Sequence, residues 1–218
     1  MCVALNASLL SLLLLTDAAY AVAAPDDPAV QQYRALAVNL WCSEDNPVAC
    51  YDDNQPAPRA VEENTTRLRD LITSAITTAL LSPEASEASG QTITRVIESI
   101  QRGDKNTSGI LGEEPPFAEF RRAGNTRLLV VGFTIYRDGL AIPDTRPYVQ
   151  FYAQESGNWI LRGEVGLELR GCFWSHVQVE GRGNSKLLYW LSGRRYGDTG
   201  TRLRVQLFEF DGSEVRRL

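Results

Sequence analysis

Histidine is almost missing from this chain. His176 is the only one among 218 residues, so a His-Glu-x-x-His zinc site is excluded. There is no Gly-x-Ser-x-Gly nucleophile turn, no Gly-rich phosphate loop ending in Lys, and no dinucleotide fingerprint. Those gaps remove the motif-bearing hydrolase, nucleotide-binding and dinucleotide-dependent classes. A basic excess is missing too: the formal charge is −5, which argues against a nucleic-acid binder. No apolar run reaches the roughly 20 residues that a membrane-spanning helix needs, so no span is expected in the mature chain. Neither a metal nor a cofactor is expected. Glu44, Asp45, Asp52, Asp53 and Asn54 supply oxygen atoms, but their spacing does not match a helix-loop-helix calcium site and its turn Gly is absent.

What is present begins with an export pattern. Residues 9–15 are apolar apart from Ser11, and Ala21-Val22-Ala23 has the small-x-small form of a cleavage site. Residues 1–24 read as a signal peptide, which makes the mature protein secreted or periplasmic. No Lys or Arg precedes the apolar run, and Asp17 follows it closely; both depart from the usual pattern. Cysteine use agrees with export. Cys42 and Cys50 flank an Asn46-Pro47 turn signal, and a disulfide between them suits an oxidising compartment. Cys172 has no evident mate and reads as a small core residue.

Residues 25–102 read as a helical region. Asp27-Pro28 is an N-cap followed by Pro at the first helical position. Val30, Tyr33, Ala37, Leu40 and Trp41 then recur at helical spacing. Pro58 opens a second helix, whose stripe is Val61, Leu68, Leu71, Ile72, Ala75, Ile76, Ala79 and Leu80. Gly90 interrupts a third, whose face is Ile93, Val96, Ile97 and Ile100, with Gly103 as its stop. Asn64-Thr65-Thr66 and Asn106-Thr107-Ser108 match glycan acceptors. Residues 103–116 read as a linker.

Residues 117–218 look written twice. Gly124-Asn125-Thr126-Arg127-Leu128-Leu129 recurs as Gly183-Asn184-Ser185-Lys186-Leu187-Leu188, and Val149-Gln150-Phe151-Tyr152 recurs as Val205-Gln206-Leu207-Phe208. Each copy predicts four short strands: 117–122, 127–136, 147–154 and 158–165, then 172–180, 186–193, 202–210 and 213–218. Gly-Asn and Asp-Gly supply the hairpin turns. Units of this size resemble propeller blades, although two cannot close a ring that typically takes 4–8. The expected fold is therefore α+β: N-terminal amphipathic helices, then a duplicated antiparallel β unit arranged as two four-stranded, blade-like sheets or as a sandwich or barrel.

Charge divides the same way. Residues 24–116 carry seven basic and fifteen acidic side chains, and residues 117–218 carry fifteen basic and eleven acidic. Complementary charge of this kind fits an intramolecular interface or an anionic partner for the basic half.

No catalytic residue is identified. Cys172 and His176 share a strand face about 13 Å apart, too far for a thiolate–imidazole pair. Trp174, His176 and Gln178 alternate with Phe173, Val177 and Val179, which makes the first set a candidate ligand face and the second a core face. The loops between the second and third predicted strands carry Arg137 in one copy and Arg194 and Arg195 in the other, and equivalent arginine-bearing loops at one end of a repeat suit an anionic ligand. The reading is an exported, non-catalytic binding protein for a glycan, a cell-envelope component or a partner protein. The alternative is an extracytoplasmic hydrolase using a carboxylate pair.

Overall fold

Asp27 caps the first helix, as its position before Pro28 predicts: its carboxylate accepts from the Ala29 N–H at 2.8 Å. The computed structural model describes residues 27–51, 56–81, 90–102, 115–123, 125–138, 143–166, 172–182, 186–197, 200–210 and 213–218; for 123, 138, 143–145, 172–182, 186–197 and 200–205 the backbone alone is described. The expected signal peptide, most of the linker and Asn106 lie outside these residues.

Helix α1 spans Pro28–Ala37 and tightens into a 3₁₀ turn over Val38–Leu40. A second 3₁₀ turn, Pro47–Ala49, follows, and the Cys42–Cys50 disulfide closes this loop. Helix α2 spans Arg59–Leu80, with Pro58 as its cap rather than its first residue. Its buried positions are Val61, Thr65, Leu68, Ile72, Ile76 and Leu80, the stripe that helical spacing demands. Helix α3 is Gly90–Gln101. Gly90 is its first described residue, and the residues before it, 82–89, lie outside the described ones. A Cβ there would sit 1.8 Å from the Ala118 carbonyl oxygen, so the helix backbone presses against a strand at this point. Asn64 lies inside α2, half-buried, and the Thr66 hydroxyl of its acceptor motif donates to the Glu62 carbonyl. That places this motif in rigid helix rather than in a loop.

Eight strands follow: β1 Phe117–Ala123, β2 Thr126–Asp138, β3 Pro143–Glu155, β4 Asn158–Gly166, β5 Cys172–Arg182, β6 Lys186–Gly197, β7 Gly200–Phe210 and β8 Val215–Arg217. They form two antiparallel sheets, ordered β1-β2-β3-β4 and β5-β6-β7-β8, so the chain is α+β. The β3–β4 turn is Ser156-Gly157, both at positive φ, as a tight two-residue hairpin requires.

The expected strands 127–136 and 147–154 are too short. β2 and β3 pair from Leu128↔Ala153 out to Asp138↔Pro143. Arg137 is thus a strand residue, as are Arg194 and Arg195 in β6. The two sequence matches also differ in register. Leu129 pairs with Tyr152, whereas Leu188 pairs with Glu209 and Phe208 pairs with Tyr189. The second match is one residue out of step, and one residue exchanges the faces of a strand. Phe151 is buried while its counterpart Leu207 is 39% exposed.

Two apolar clusters hold the layers. The helices pack on one face of the first sheet, through Leu68, Ile72, Ile76, Ile93 and Ile97 against Leu129, Val131, Phe133 and Ile135. The opposite face carries Leu128, Val130, Val149 and Phe151, which gather with Phe208 and Phe210 of β7. The Phe151 and Phe210 rings lie 5.2 Å apart. Gly163 of β4 gives β8 room: a Cβ there would meet the Val215 side chain at 2.6 Å.

Candidate functional site

The described polar residues concentrate between α2 and the first sheet. β3 alternates Arg146, Tyr148, Gln150, Tyr152 and Gln154 with Pro147, Val149, Phe151 and Ala153. Period-two geometry gives the first set one face and the second set the other. Phe151 and its companions join the cluster with β7, so the polar set lies under the helices. On α2, Glu62, Arg69 and Thr73 stand seven and then four residues apart, which brings them to one side of the helix, beside the apolar stripe.

Two charged knots result. Glu62 Oε1 accepts from Arg137 Nη1 and from Arg146 Nη2, each at 2.8 Å. The Arg137 side chain is fully buried and that of Glu62 is 42% exposed. Further along α2, Arg69 Nη1 donates to Glu164 Oε1 at 3.3 Å. Gln150 lies between, fully buried: its Nε2 donates to Thr73 Oγ1 and to Glu164 Oε2, each at 2.6 Å, and its Oε1 accepts from the Tyr152 hydroxyl at 2.7 Å. The Tyr148 ring stacks on Phe133 at 5.6 Å.

Burial raises the Tyr148 phenol above its ordinary pKa, against the pull of the Arg146 and Arg69 guanidiniums. Tyr152 is raised far more, by burial and then by the Glu164 carboxylate. Both phenols stay protonated at neutral pH, and the Tyr152 hydroxyl serves as a donor to Gln150. Glu62 and Glu164 are each engaged by donors, so the seam binds α2 to the sheet. It realises part of the charge attraction between the acidic front and basic back of the chain. Its sequence signal was the alternation in β3, read there only as strand.

Arg137 therefore needs correction as a ligand candidate. It lies in a strand under the helices and pairs with Glu62, because the longer β2 carries it inward. The other candidates belong to the second sheet. In the β5–β6 ladder Trp174 stands opposite Arg194, His176 opposite Ser192 and Gln178 opposite Trp190. Directly paired positions share a face. Continuing into β7, Trp190 pairs with Leu207, so this row of positions belongs to the Leu207 side of the sheet. Arg195 pairs with Cys172 and with Arg202, which puts it on the other side. The backbone therefore groups Trp174, His176, Gln178 and Arg194, and separates Arg195 and Arg137 from them.

Among the described residues no group of three or more His, Cys, Asp or Glu could hold a metal ion, and no helix is long and apolar enough to cross a membrane. No protein-family model, no curated protein and no solved structure matches the chain.

Proposed function

We propose that the chain is an exported, non-catalytic binding protein whose ligand surface is the outward side of the second sheet. The observation that carries this reading is the β5–β6 register. It aligns Trp174, His176 and Gln178 with Arg194, Ser192 and Trp190 on the side that bears the exposed Leu207, away from Phe208 and Phe210. Flat aromatics beside amide, imidazole and guanidinium groups are the equipment of a glycan site: the rings stack on sugar faces and the polar groups take the hydroxyls. Export is supported by the Cys42–Cys50 disulfide, a bond that persists in oxidising compartments. The two sheets are read as copies of one ancestral unit packed as a sandwich. Their common strand order supports this, and the one-residue offset between β3 and β7 marks where the copies diverged.

Glycan-array screening of the wild-type protein beside Trp174→Ala and Trp190→Ala tests the reading. Binding should be seen for the wild type and lost in both variants, with melting temperatures unchanged. If the array is blank and the substitutions only lower the melting temperature, the aromatic row is packing material and the proposal fails.

A further inference from the structure

On the basis of the glycan surface proposed for the second sheet, we infer that its ligand is an acidic oligosaccharide, bound with a carboxylated sugar at the Arg194 end of the aromatic row. The ladder gives the surface a direction. Trp174, Arg194 and Leu203 stand abreast, then His176, Ser192 and Val205, then Gln178, Trp190 and Leu207. On the other flank of Arg194 the row is Tyr196 and Thr201. None of these positions is acidic. The first acids on this side of the described ladder are Glu180 and Glu209, in the row after Trp190, about 20 Å from the Arg194 row at the rise of a strand. At that far end acids and bases are neighbours: Glu209 stands opposite Arg216, and Glu180 is followed by the Arg182–Lys186 pair. Charge is thus balanced within the surface at one end. At the other end the surface sets a single guanidinium position among aromatic, apolar, hydroxyl and imidazole ones.

Chemistry and spacing then specify the ligand. A guanidinium matches a carboxylate with two parallel hydrogen bonds, and one such position among neutral groups suits one acidic sugar rather than a densely charged polymer. Trp190 stands opposite Gln178, four residues along β5 from Trp174 and one strand across, which sets the two indole positions about 14 Å apart. One sugar ring cannot cover both, so the ligand is an oligosaccharide. Ser192 and His176 occupy the row between and suit its hydroxyls. Around Trp190 the partners are Gln178 and Leu207, an amide and an apolar residue, which suit a neutral sugar. Leu207 is 39% exposed, so this end of the row is open to solvent. The basic excess of residues 117–218 adds a long-range attraction for an anionic ligand.

The test titrates the full chain, with its disulfide intact, against three probes: a tetrasaccharide of alternating glucuronate and N-acetylglucosamine, the same tetrasaccharide after reduction of its carboxyl groups, and the corresponding acidic disaccharide. Calorimetry should show the acidic tetrasaccharide binding at least about tenfold more tightly than the reduced form, as the loss of a charge-assisted hydrogen-bond pair requires, and added salt should narrow that gap. The disaccharide should bind more weakly than the acidic tetrasaccharide. Arg194→Gln should bring the acidic form down to the affinity of the reduced one and leave the reduced form unchanged, whereas Trp190→Ala should weaken both and keep their ratio. The carboxyl and salt comparisons need no variant, so they decide even where a variant does not fold. Equal binding of the acidic and reduced forms, both lost in Trp174→Ala, leaves the glycan surface standing and overturns the acidic class. A gap that survives Arg194→Gln also overturns the proposal, because the carboxylate is then held elsewhere. So does a disaccharide that binds as tightly as the tetrasaccharide. Binding of none of the three overturns it too, and the glycan surface then stands or falls on the array alone.

Discussion

β2 and β7 are similar in length and lie in sheets of the same strand order, yet they live in different surroundings. β2 is buried on both faces: Leu128 and Val130 meet the second sheet while Leu129, Val131, Phe133 and Ile135 meet the helices. The described end of β7 alternates, with Gln206, Phe208 and Phe210 buried and Leu207 exposed. Among the described residues the first sheet is packed on both faces, whereas Leu207 is exposed on the far side of β7. A sheet packed on both faces leaves little surface for a ligand. An exposed side has surface to offer, which is why the functional reading attaches to the second sheet although the better-defined polar chemistry lies beneath α2.

The largest test of this contrast compares neighbours on β7. Phe210 is fully buried against Phe151, so Phe210→Ala should cost about 3–5 kcal/mol. Leu207→Ala should change stability by less than about 0.5 kcal/mol. Denaturant melts of the two variants check both. Equal losses would mean that Leu207 is also packed and that the second sheet is covered on both sides.

A smaller effect sharpens the other interface. Glu62 and Glu63 are adjacent in α2 and both are paired. Glu63 meets Arg59, an exposed i,i+4 pair, and Glu63→Gln should be nearly silent. Glu62 meets two arginines, one of them fully buried. Glu62→Gln removes the carboxylate but not the buried guanidinium, and should cost about 1–3 kcal/mol, less than for a wholly buried pair because Glu62 is partly solvated. If the two variants melt alike, the α2 seam adds no specificity to the docking of helices on the first sheet.

Most elements were legible in the chain because their signals are local. Asp27-Pro28 caps and opens α1, the Val61-to-Leu80 stripe marks α2, and Ser156-Gly157 turns a hairpin. What stayed hidden depends on partners distant in sequence. Nothing near Arg137 announces Glu62, 75 residues away, and exposed arginines at strand ends are common enough that the loop reading was natural. The offset of the second match was hidden for the same reason. Val-Gln-Phe-Tyr and Val-Gln-Leu-Phe are alike as strings, but register is set by pairing with β2 and β6, and a one-residue slip leaves local composition unchanged while exchanging the faces. The polar seam could have been found by setting the alternation of β3 against the spacing of Glu62, Arg69 and Thr73. Either pattern alone reads as ordinary strand or helix surface.

The smallest expected effect concerns the phenols of the first sheet. Tyr148 and Tyr152 both have raised pKa values, chiefly through burial, against an ordinary value of about 10. A raised value means that the folded state holds the proton more tightly than the unfolded chain. Their contribution to stability is therefore complete below about pH 10 and is lost as pH rises through the folded values. In an alkaline titration followed by phenolate absorbance, part of the signal from the eight tyrosines should appear only as the protein unfolds. Tyr152→Phe should remove a share of that late signal and shift alkaline unfolding to higher pH. At neutral pH the same variant should lose about 0.5–1.5 kcal/mol, because Gln150 loses a donor. If all the tyrosines titrate together in the native state, water reaches the seam between α2 and β3. The first sheet is then no drier than the second, and burial would not separate the two regions.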